Sequence, residues 1–221
     1  MISVIIPAGG TSSRYSKTSS KLDASINGTS ILNHSIDRFT AFNDINEIIV
    51  PCHLDNIDQT IKDTSMFGNK IKIIPGGKTR AASVYNGFKK ISKNCRYVLV
   101  HDAARPNVSE SLIQRIIKSL DQHPVIIPGV SVTDTIKEVL KDTITKTIDR
   151  DNLIAVQTPQ GFHYDVLKNA YNNIKDLSRV TDEAALVEMT KVFGTIIPGD
   201  LENIKLTHQI DLKLLSLLMT V

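Results

Sequence analysis

Short apolar runs that alternate with helix-period segments most strongly constrain what this chain can fold into. Residues 2–6 form a short, β-branched run, which is typical of a strand buried on both faces of a sheet. Similar runs occur at residues 47–51, 70–74 and 96–100, each separated from the next by a segment with the period of a helix. Parallel strands need such crossovers, so the order of elements predicts βαβ units. The sequence therefore predicts an α/β domain with a mainly parallel sheet.

The helix-period segments fill the intervals between these runs. On the first of them, Ile36 and Phe39 fall on one apolar face, which predicts that this face packs on the sheet. No linker, repeat or low-complexity segment interrupts the order, so we expect a single domain over residues 1–221. The predicted helices span residues 31–42, 54–62, 80–91, 109–120, 164–174, 182–190 and 207–219, and further strands span 124–127, 153–157 and 192–197.

The pattern changes after the fifth predicted strand. Residues 132–148 alternate and are rich in Thr, Ile and Lys, with two short strand candidates around Lys141 and Asp142. This predicts a hairpin arm, inserted in the domain at about residues 132–152, rather than another βαβ unit. Residues 157–162 contain Pro159 and Gly161 and are expected to form a compact turn.

The first predicted strand runs into a loop with the composition of an anion site. Glycines let a backbone approach a ligand closely, and successive N–H groups in a turn can surround an anion. Arg14 and Lys21 follow and supply positive charge where phosphates would bind. A nucleotide-phosphate site is therefore the first hypothesis, and an ordinary strand-to-helix turn is the alternative. The loop residues are Pro7, Ala8, Gly9, Gly10, Thr11, Ser12 and Ser13.

Two further features lie at the same predicted edge of the sheet, where open α/β sheets bind ligands. Asp102 lies two residues after the strand at 96–100, next to His101, and Arg105 is three residues further along the chain. Beside a phosphate, Asp102 would bind Mg²⁺, whereas the alternative is a local ion pair of Asp102 with Arg105. Gly76 and Gly77 form a glycine turn after the third strand, although it fails as a P-loop because the required earlier glycine is Lys72.

Other classes of function are poorly supported. The net charge of +3 is too mild to require nucleic acid, and aromatic residues, at 5%, are not interleaved with basic ones. No run approaches the length of a membrane span, and the opening run is too short for a signal peptide core, which predicts a cytoplasmic protein. Zinc, serine-hydrolase and dinucleotide motifs are missing from the sequence. Cys52 and Cys95 fit no metal or redox spacing and are expected to be core residues.

Taken in order, the motifs resemble the 2-C-methyl-D-erythritol 4-phosphate cytidylyltransferase family of the non-mevalonate isoprenoid pathway. The resemblance implies a Rossmann-like nucleotide-diphospho-sugar transferase fold with a protruding β-arm. It implies a homodimer with interlocked arms, and the transfer of a cytidylyl group from CTP to methylerythritol phosphate, a small polyol phosphate, with Mg²⁺. The matching motifs are residues 7–10 with Arg14 and Lys21, residues 31–35, residues 76–84, residues 100–106, residues 133–137, residues 157–162, residues 181–184 and residues 203–207.

The resemblance also implies a role for each matching residue. The loop at residues 8–13 would hold the triphosphate, Arg14 and Lys21 would bind its phosphates and the leaving pyrophosphate, and Lys205 would reach the α-phosphate. Asp102 would be the Mg²⁺ or ribose-side group. The positions implied for cytosine are Gly77, Lys78 and Ser83, and those implied for methylerythritol phosphate are Arg105, Thr135, Arg150 and Thr181, with Thr135 and Arg150 supplied by the partner subunit.

The phosphate loop departs from the family pattern Ala-Ala-Gly-x-Gly-x-Arg-Met. Gly9 takes the place of the second Ala, Ser12 of the later Gly and Tyr15 of Met, while Ser20 and Leu22 replace a usual Pro and Gln. We expect the phosphate site to be retained, with a more mobile loop. Two alternatives stay open from the residues: a ribitol 5-phosphate cytidylyltransferase, and a nucleotide-binding domain without turnover. An NAD-dependent oxidoreductase is disfavoured, because the glycine fingerprint is missing.

Overall fold

The computed structural model describes residues 1–10, residue 15 and residues 21–219, and these form an α/β fold around an eight-stranded sheet. The strands in chain order are β1 (Ile2–Ile5), β2 (Ser25–Ile26), β3 (Thr29–Ser30), β4 (Ile45–Cys52), β5 (Ile71–Pro75), β6 (Tyr97–Val100), β7 (Val125–Ser131), β8 (Ile136–Leu140), β9 (Thr143–Ile148), β10 (Ile154–Val156), β11 (Gln160–His163) and β12 (Thr195–Pro198). The helices are α1 (Ile31–Thr40), α2 (Ile57–Thr64), α3 (Arg80–Phe88), α4 (Glu110–Ser119), α5 (Tyr164–Asn173), α6 (Glu183–Glu188) and α7 (Gln209–Leu218).

The central sheet has the order β10-β7-β11-β6-β1-β4-β5, with β12 also paired to β7. Strands β6, β1, β4 and β5 are parallel neighbours, and β12 is parallel to β7. Strands β10 and β11 run antiparallel to their neighbours. The predicted fold class, a mainly parallel mixed sheet in an α/β domain, is confirmed. Because β1 and β6 are adjacent and parallel, the loops that follow them lie at one edge of the sheet.

Local sequence signals account for where several helices begin. Ser30 caps α1 by accepting a hydrogen bond from the backbone N–H of Asn33, and Thr79 caps α3 through Ala82 in the same way. Ser109, predicted as a cap, accepts from the N–H of Leu112 at the start of α4. Each of these caps satisfies a helix N–H that lacks an intrahelical partner.

Apolar clusters cover both faces of the sheet. On one side α1 and α4 contribute Ile36, Phe39 and Ile113, so the predicted inward face of the first helix is confirmed. On the other side α3 contributes Val84 and α5 contributes Leu167. Helices on both faces leave the carboxyl edge of the parallel strands as the place where polar loops meet. The two cysteines, Cys52 and Cys95, are free and buried, as predicted.

Strands β8 and β9 form an exposed antiparallel hairpin within the predicted arm. Lys141 and Asp142 at its tip have φ values of 47° and 65°, which suit the two-residue turn of a right-handed hairpin. This pairing places the arm strands in a sheet of their own, apart from the central sheet. The division of the chain into one domain with a dimerisation arm stays a prediction.

The structure corrects one expectation and adds a short element. Residues 157–162 are not only a compact turn, because Gln160–His163 form β11 between β6 and β7. A four-residue strand that contains Gly161 has too few apolar side chains to show a strand pattern. The hairpin of β2 and β3 was also not predicted, although Asn27 and Gly28, with positive φ, form a recognisable turn signal. Among the described helices, none has the length and apolar character needed to cross a bilayer.

Candidate active site

A pocket of about 250 Å³ opens at the carboxyl ends of β1 and β6. The backbone at Pro7 and Gly10 forms part of its wall, because these residues directly follow β1. Charged side chains from three other segments, Lys21, Arg80 and Lys205, also line it. The remaining lining residues are Gly9, Tyr15, Leu22, Ser83, Asp102, Ala103, Ala104 and Thr207. A concave site with convergent cations is suited to a polyanionic ligand.

Asp102 is the centre of charge in this pocket. Its Oδ2 lies 2.7 Å from Lys205 Nζ and 4.0 Å from Arg105 Nε, and its Oδ1 accepts a hydrogen bond of 3.0 Å from Arg80 Nε. Burial by itself would raise the pKa of Asp102, but the charges of Arg80 and Lys205 hold it well below its usual range. Asp102 is therefore ionised and holds these cations together. The ion pair of Asp102 with Arg105 is present, and its N–O distance is the longest of the three.

Arg80 links Asp102 to a second carboxylate. Its Nη1 donates to Glu183 Oε2 at 2.9 Å, and the Glu183 side chain is fully buried. Burial raises the pKa of Glu183, and the charge of Arg80 opposes that rise. Burial also opposes the charged form of Arg80, but Glu183 and Asp102 together raise its pKa above the usual range. The guanidinium therefore stays charged between two acidic groups.

The backbone around Asp102 is fixed by the segment before β11. The N–H of Asp102 donates to Thr158 Oγ1 at 3.0 Å, and the same hydroxyl lies 3.2 Å from His101 Nδ1. His101 Nε2 lies 3.0 Å from the carbonyl oxygen of Arg105. Burial lowers the pKa of His101 to about 4, so this imidazole is neutral near pH 7 and adds no charge to the pocket.

Lys205 lies on a short segment tied to both sides of the pocket. The buried Asn203 donates from Nδ2 to the carbonyl oxygen of Thr158 at 2.8 Å, and Arg105 Nη1 donates to the Asn203 carbonyl oxygen at 2.6 Å. The Leu206 N–H donates to the Ala104 carbonyl oxygen. Lys21 Nζ donates to the Leu206 carbonyl oxygen at 3.0 Å. These bonds bring two cations from opposite ends of the chain to one pocket.

The glycine turn after β5 reaches the pocket through Ser83. Ser83 Oγ accepts a hydrogen bond of 2.9 Å from the Gly77 N–H, which ties the turn to α3. A Cβ atom at Gly77 would lie 2.5 Å from Ala82 Cβ, so only glycine fits there. Lys78 is exposed, and neither it nor Gly77 is among the residues that line the pocket. The cytosine role of this turn stays a prediction.

The structure brings together some of the predicted residues and leaves others outside. Arg105 pairs with Asp102 but is not among the residues that line the pocket. Ala8 pairs instead with β4, donating its N–H to the Pro51 carbonyl oxygen. The positions implied for the second substrate, Thr135, Arg150 and Thr181, are exposed and are not part of this lining. The predictions for Thr11, Ser12, Ser13, Arg14 and Ser20 lie outside the described residues. The pocket unites Pro7, Gly9, Gly10, Lys21, Ser83, Asp102 and Lys205.

Two residues of the charge cluster were not assigned a role from the sequence. Arg80 is the first residue of α3, shortly after the glycine turn. This places it at the edge where open α/β sheets bind ligands, and that position could have indicated a role in the site. Glu183 directly follows the predicted substrate position Thr181 and its neighbour Asp182, but nothing local indicates that its side chain is buried. Its partner Arg80 lies 103 positions away in the sequence, so only the fold shows the contact.

The fold and the pocket define an α/β protein with a cation-lined pocket, suited to an anionic ligand, at the carboxyl edge of parallel strands. Comparison with known proteins identifies the particular group. The chain belongs to the 2-C-methyl-D-erythritol 4-phosphate cytidylyltransferase (IspD) family, whose model matches residues 2–221. The resemblance stated from the motifs is thereby confirmed.

Individual relatives support this assignment over nearly the whole chain. The 2-C-methyl-D-erythritol 4-phosphate cytidylyltransferase of Clostridioides difficile (strain 630) is 38% identical, covering 97% of this chain and 92% of that protein. The protein of the same description from Prochlorococcus marinus (strain AS9601) is 37% identical, with 96% of each chain covered. The crystal structure of 4-diphosphocytidyl-2C-methyl-D-erythritol synthase from Anaerococcus prevotii DSM 20548 superposes with a TM-score of 0.86 at 27% identity, covering 99% of this chain and 97% of that chain.

Proposed function

We propose that this chain transfers the cytidylyl group of CTP to 2-C-methyl-D-erythritol 4-phosphate, with release of pyrophosphate, in the synthesis of isoprenoid precursors. One observation carries the proposal: Lys21, Asp102 and Lys205 converge in a single pocket of a chain that matches the family from residue 2 to residue 221. A protein that only bound nucleotide would have little use for a cation placed at the α-phosphate. Family membership favours methylerythritol phosphate over ribitol 5-phosphate as the acceptor.

The reaction needs positioning and charge stabilisation rather than a covalent enzyme intermediate. An oxygen of the acceptor phosphate attacks the α-phosphorus of CTP in line, the new P–O bond forms, and the bond to the β-phosphate oxygen breaks to release pyrophosphate. Negative charge increases on the α-phosphate oxygens and on the leaving group in the transition state. We assign Lys205 to the α-phosphate, and Lys21 with Arg14 to the pyrophosphate portion.

Asp102 positions the cations to which we assign the phosphates. Its carboxylate is bonded to Lys205 at 2.7 Å and to Arg80 at 3.0 Å, so it holds both cations at the wall of the pocket. A phosphate of CTP would compete with Asp102 for the same N–H donors. We infer that the ammonium of Lys205 passes from the carboxylate to the α-phosphate when CTP binds.

A magnesium ion fits this donor set when the shift of Lys205 to the α-phosphate leaves Asp102 Oδ2 free. Mg²⁺ is usually held by one or two carboxylates together with phosphate oxygens and water, and Asp102 offers one ionised carboxylate at the pocket. No group of three or more metal-ligating side chains occurs among the described residues, so the nucleotide would supply the other ligands. When bound, Mg²⁺ neutralises charge on the phosphate oxygens. Omitting Mg²⁺ from the assay described below tests this requirement, and turnover with a chelator in place of the metal would contradict it.

We propose that the active form is a homodimer in which each arm supplies Thr135 and Arg150 to the partner's pocket. Both residues are exposed in the single chain and lie outside its own pocket lining, which leaves them accessible to a second chain. Large apolar side chains are also exposed on the arm and beside its base, which is typical of a surface buried by association. These are Val139, Leu140, Ile144, Ile154, Val156, Ile196 and Leu201. Sedimentation equilibrium at assay concentrations tests the proposal, and a monomer with full activity would contradict it.

The cellular location follows the same assignment. We propose that the enzyme acts in the cytoplasm, where a CTP-dependent pathway enzyme has its substrate. The free thiols of Cys52 and Cys95 suit a reducing compartment. Neither nucleic acid nor a membrane is expected as a partner. Fractionation of the producing cells tests the location, and recovery of the chain with the membranes would contradict it.

The experiment that tests the activity is pyrophosphate release from CTP and Mg²⁺, with 2-C-methyl-D-erythritol 4-phosphate and ribitol 5-phosphate offered in parallel. We expect release with the first acceptor alone. Release with ribitol 5-phosphate alone would keep the CTP site and the reaction type but replace the acceptor. If neither acceptor supports release while calorimetry shows CTP binding, the chain is a nucleotide-binding domain.

A further inference from the structure

Glu183 is a buried carboxylate whose position the proposed reaction does not by itself explain. It is the first residue of α6, its side chain is fully buried, and its Oε2 accepts a hydrogen bond of 2.9 Å from Arg80 Nη1. The adjacent nitrogen of the same guanidinium, Nε, donates to Asp102 Oδ1 at 3.0 Å. Arg80 therefore spans a carboxylate inside the protein and a carboxylate at the pocket.

Stabilisation of the fold does not by itself explain why a buried glutamate stands at position 183. Burying a carboxylate costs free energy that a single ion pair often fails to offset, and a buried ion pair replaced as a whole by apolar side chains is often no less stable. The second carboxylate oxygen, Oε1, is buried and has no hydrogen-bond partner within the described parts of the chain. The carboxylate is thus satisfied at one oxygen only, Oε2, which accepts the hydrogen bond from Arg80.

The backbone that carries Glu183 is fixed by β11. Gln160, at the start of that strand, donates from Nε2 to Asp182 Oδ2 at 2.7 Å, and its Oε1 accepts from the Ala184 N–H at 3.3 Å. Two residues earlier, Thr158 accepts a hydrogen bond from the backbone N–H of Asp102. One segment of the chain therefore holds both carboxylates that Arg80 bridges, which fixes the distance between them.

We propose that Glu183 is a positioning residue of the nucleotide site: it holds the Arg80 guanidinium in one orientation, so that Arg80 binds a phosphate of CTP while keeping a single bond to Asp102. Arg80 lines the pocket, and a guanidinium has five N–H donors in one plane. With Nε and Nη1 on two different carboxylates, the plane cannot rotate freely. Without Glu183, the Arg80 guanidinium would turn to bind Asp102 through two nitrogens, the favoured geometry of an Arg–carboxylate pair.

This inference rests on the proposed function, because it names the triphosphate of CTP as the ligand of Arg80. The first test is Glu183→Leu, which replaces the hydrogen-bond acceptor with an apolar side chain of similar size. We expect KM for CTP to rise about tenfold, as for the loss of roughly one charged hydrogen bond, with a smaller change in kcat. The melting temperature should change little, because Arg80 keeps the carboxylate of Asp102 as its partner. Glu183→Gln keeps an oxygen that can accept from Arg80 and should restore most of the affinity.

A second test combines Glu183→Leu with Arg80→Met. If Glu183 acts through Arg80, the double variant should have the same kcat/KM as Arg80→Met alone. Glu188→Gln, on the exposed face of the same helix, is the matched control and should leave KM unchanged. Independent losses in the two single variants, or a Glu183→Leu variant that melts earlier with an unaltered KM, would overturn the positioning role.

Calorimetric titration with CTP in the absence of acceptor separates this inference from the proposed function. If the wild-type chain binds CTP but releases no pyrophosphate with either acceptor, the proposed function fails, and the affinities of the same variants still decide the role of Glu183. If turnover is confirmed but the two substitutions are additive, only the role of Glu183 is wrong. A wild-type chain that does not bind CTP overturns both.

Discussion

At the scale of single residues, Lys205 has the closest contact with Asp102, at 2.7 Å. Its side chain is about one third exposed, whereas Asp102 is nearly buried, so the lysine is the more accessible member of the pair. A cation held in this way is available to the ligand at little cost in ordering, because the fold has already placed it. The same reasoning applies to Lys21, whose ammonium is held by the Leu206 carbonyl oxygen.

Lys205→Ala should therefore reduce kcat far more than it weakens CTP binding. The charge acts mainly on the α-phosphate as negative charge increases, so we expect kcat to fall by about 10²-fold or more and KM for CTP to change by only a few-fold. Steady-state kinetics with CTP varied measures both constants. Lys213→Ala, which removes an exposed cation on α7, is the control. Equal effects on kcat and KM would contradict a role in the transition state.

A third buried carboxylate, Glu47, lies on β4 and is satisfied at both oxygens. Oε1 accepts from Ser3 Oγ at 2.6 Å and from the Ser92 N–H at 2.8 Å, and Oε2 pairs with Lys72. Burial would raise the pKa of Glu47, but the hydrogen bonds from Lys72, Ser3 and Ser92 lower it below the usual value. A lowered pKa in the folded state means that Glu47 contributes stability above its unfolded pKa, and that this contribution is lost as the pH falls.

Glu47→Gln should lower the free energy of unfolding at pH 7 by about 2 kcal/mol, the value of a charged hydrogen bond. The difference from wild type should shrink as the pH falls below about 4.5, where the unfolded Glu is protonated. Urea denaturation at pH 7 and near pH 4 measures it. The exposed Glu188→Gln should show no such difference at either pH. A Glu47→Gln loss that is the same at both pH values would contradict the ionic origin.

At the scale of elements, β11 connects the sheet to the site. It lies between β6 and β7. Thr158, two residues before the strand, bonds to Asp102, and Gln160, its first residue, bonds to Asp182 at the start of α6. The strand can lie under α4 because Gly161 has no side chain. A Cβ there would be 2.7 Å from Ile116 Cγ2 and 3.0 Å from Leu120 Cδ1. Close packing of α4 on this strand thus requires glycine at position 161.

Gly161→Ala should destabilise the fold by about 1–3 kcal/mol, since the buried Ile116 and Leu120 would have to shift. Gly10→Ala is the matched control, because no atom of the described residues lies within 4 Å of the Cβ it would add. Its effect on the free energy of unfolding should be within about 0.5 kcal/mol. Urea denaturation compares the two. If both substitutions had the same effect, close packing at Gly161 would not be the cause.

At the scale of the whole molecule, the arm carries residues that the pocket of the same chain does not use. Strands β8 and β9 are exposed along their length, and Arg150 donates to the carbonyl oxygen of Thr133 at the base of the arm. An isolated two-stranded hairpin is marginally stable in water. The proposed partner subunit would both cover the arm and receive its substrate-binding residues.

Subunits that carry Lys205→Ala, mixed with subunits that carry Arg150→Ala, should therefore recover activity. Each homodimer lacks one function in both sites, whereas each heterodimer has one site with Lys205 from one chain and Arg150 from the other. Pyrophosphate release by co-expressed, differently tagged subunits measures the recovery. Co-expressed subunits that both carry Lys205→Ala are the control. An absence of recovery in purified heterodimers would show that each site is made by one chain.

Much of the fold was predictable, because periodic burial is a local property of sequence. Residues 31–42 were predicted as a helix with Ile36 and Phe39 inward, and α1 spans Ile31–Thr40 with both residues buried. The same holds for the hairpin turn at Lys141 and Asp142. Strand β11 was not predicted, since its burial comes from α4 and its sheet neighbours rather than from its own side chains.

The sequence by itself determined the α/β class, the family, and the charged residues Lys21, Asp102 and Lys205 as candidates for one site. Only the tertiary structure decided how those charges are held. Arg80 meets Asp102 across 22 positions and Glu183 across 103, and Lys21 meets Leu206 across 185. Local propensity specifies which residues form a strand or a helix. The balance of charge around a buried carboxylate depends instead on distances between segments, and these are set only when the sheet and its helices pack.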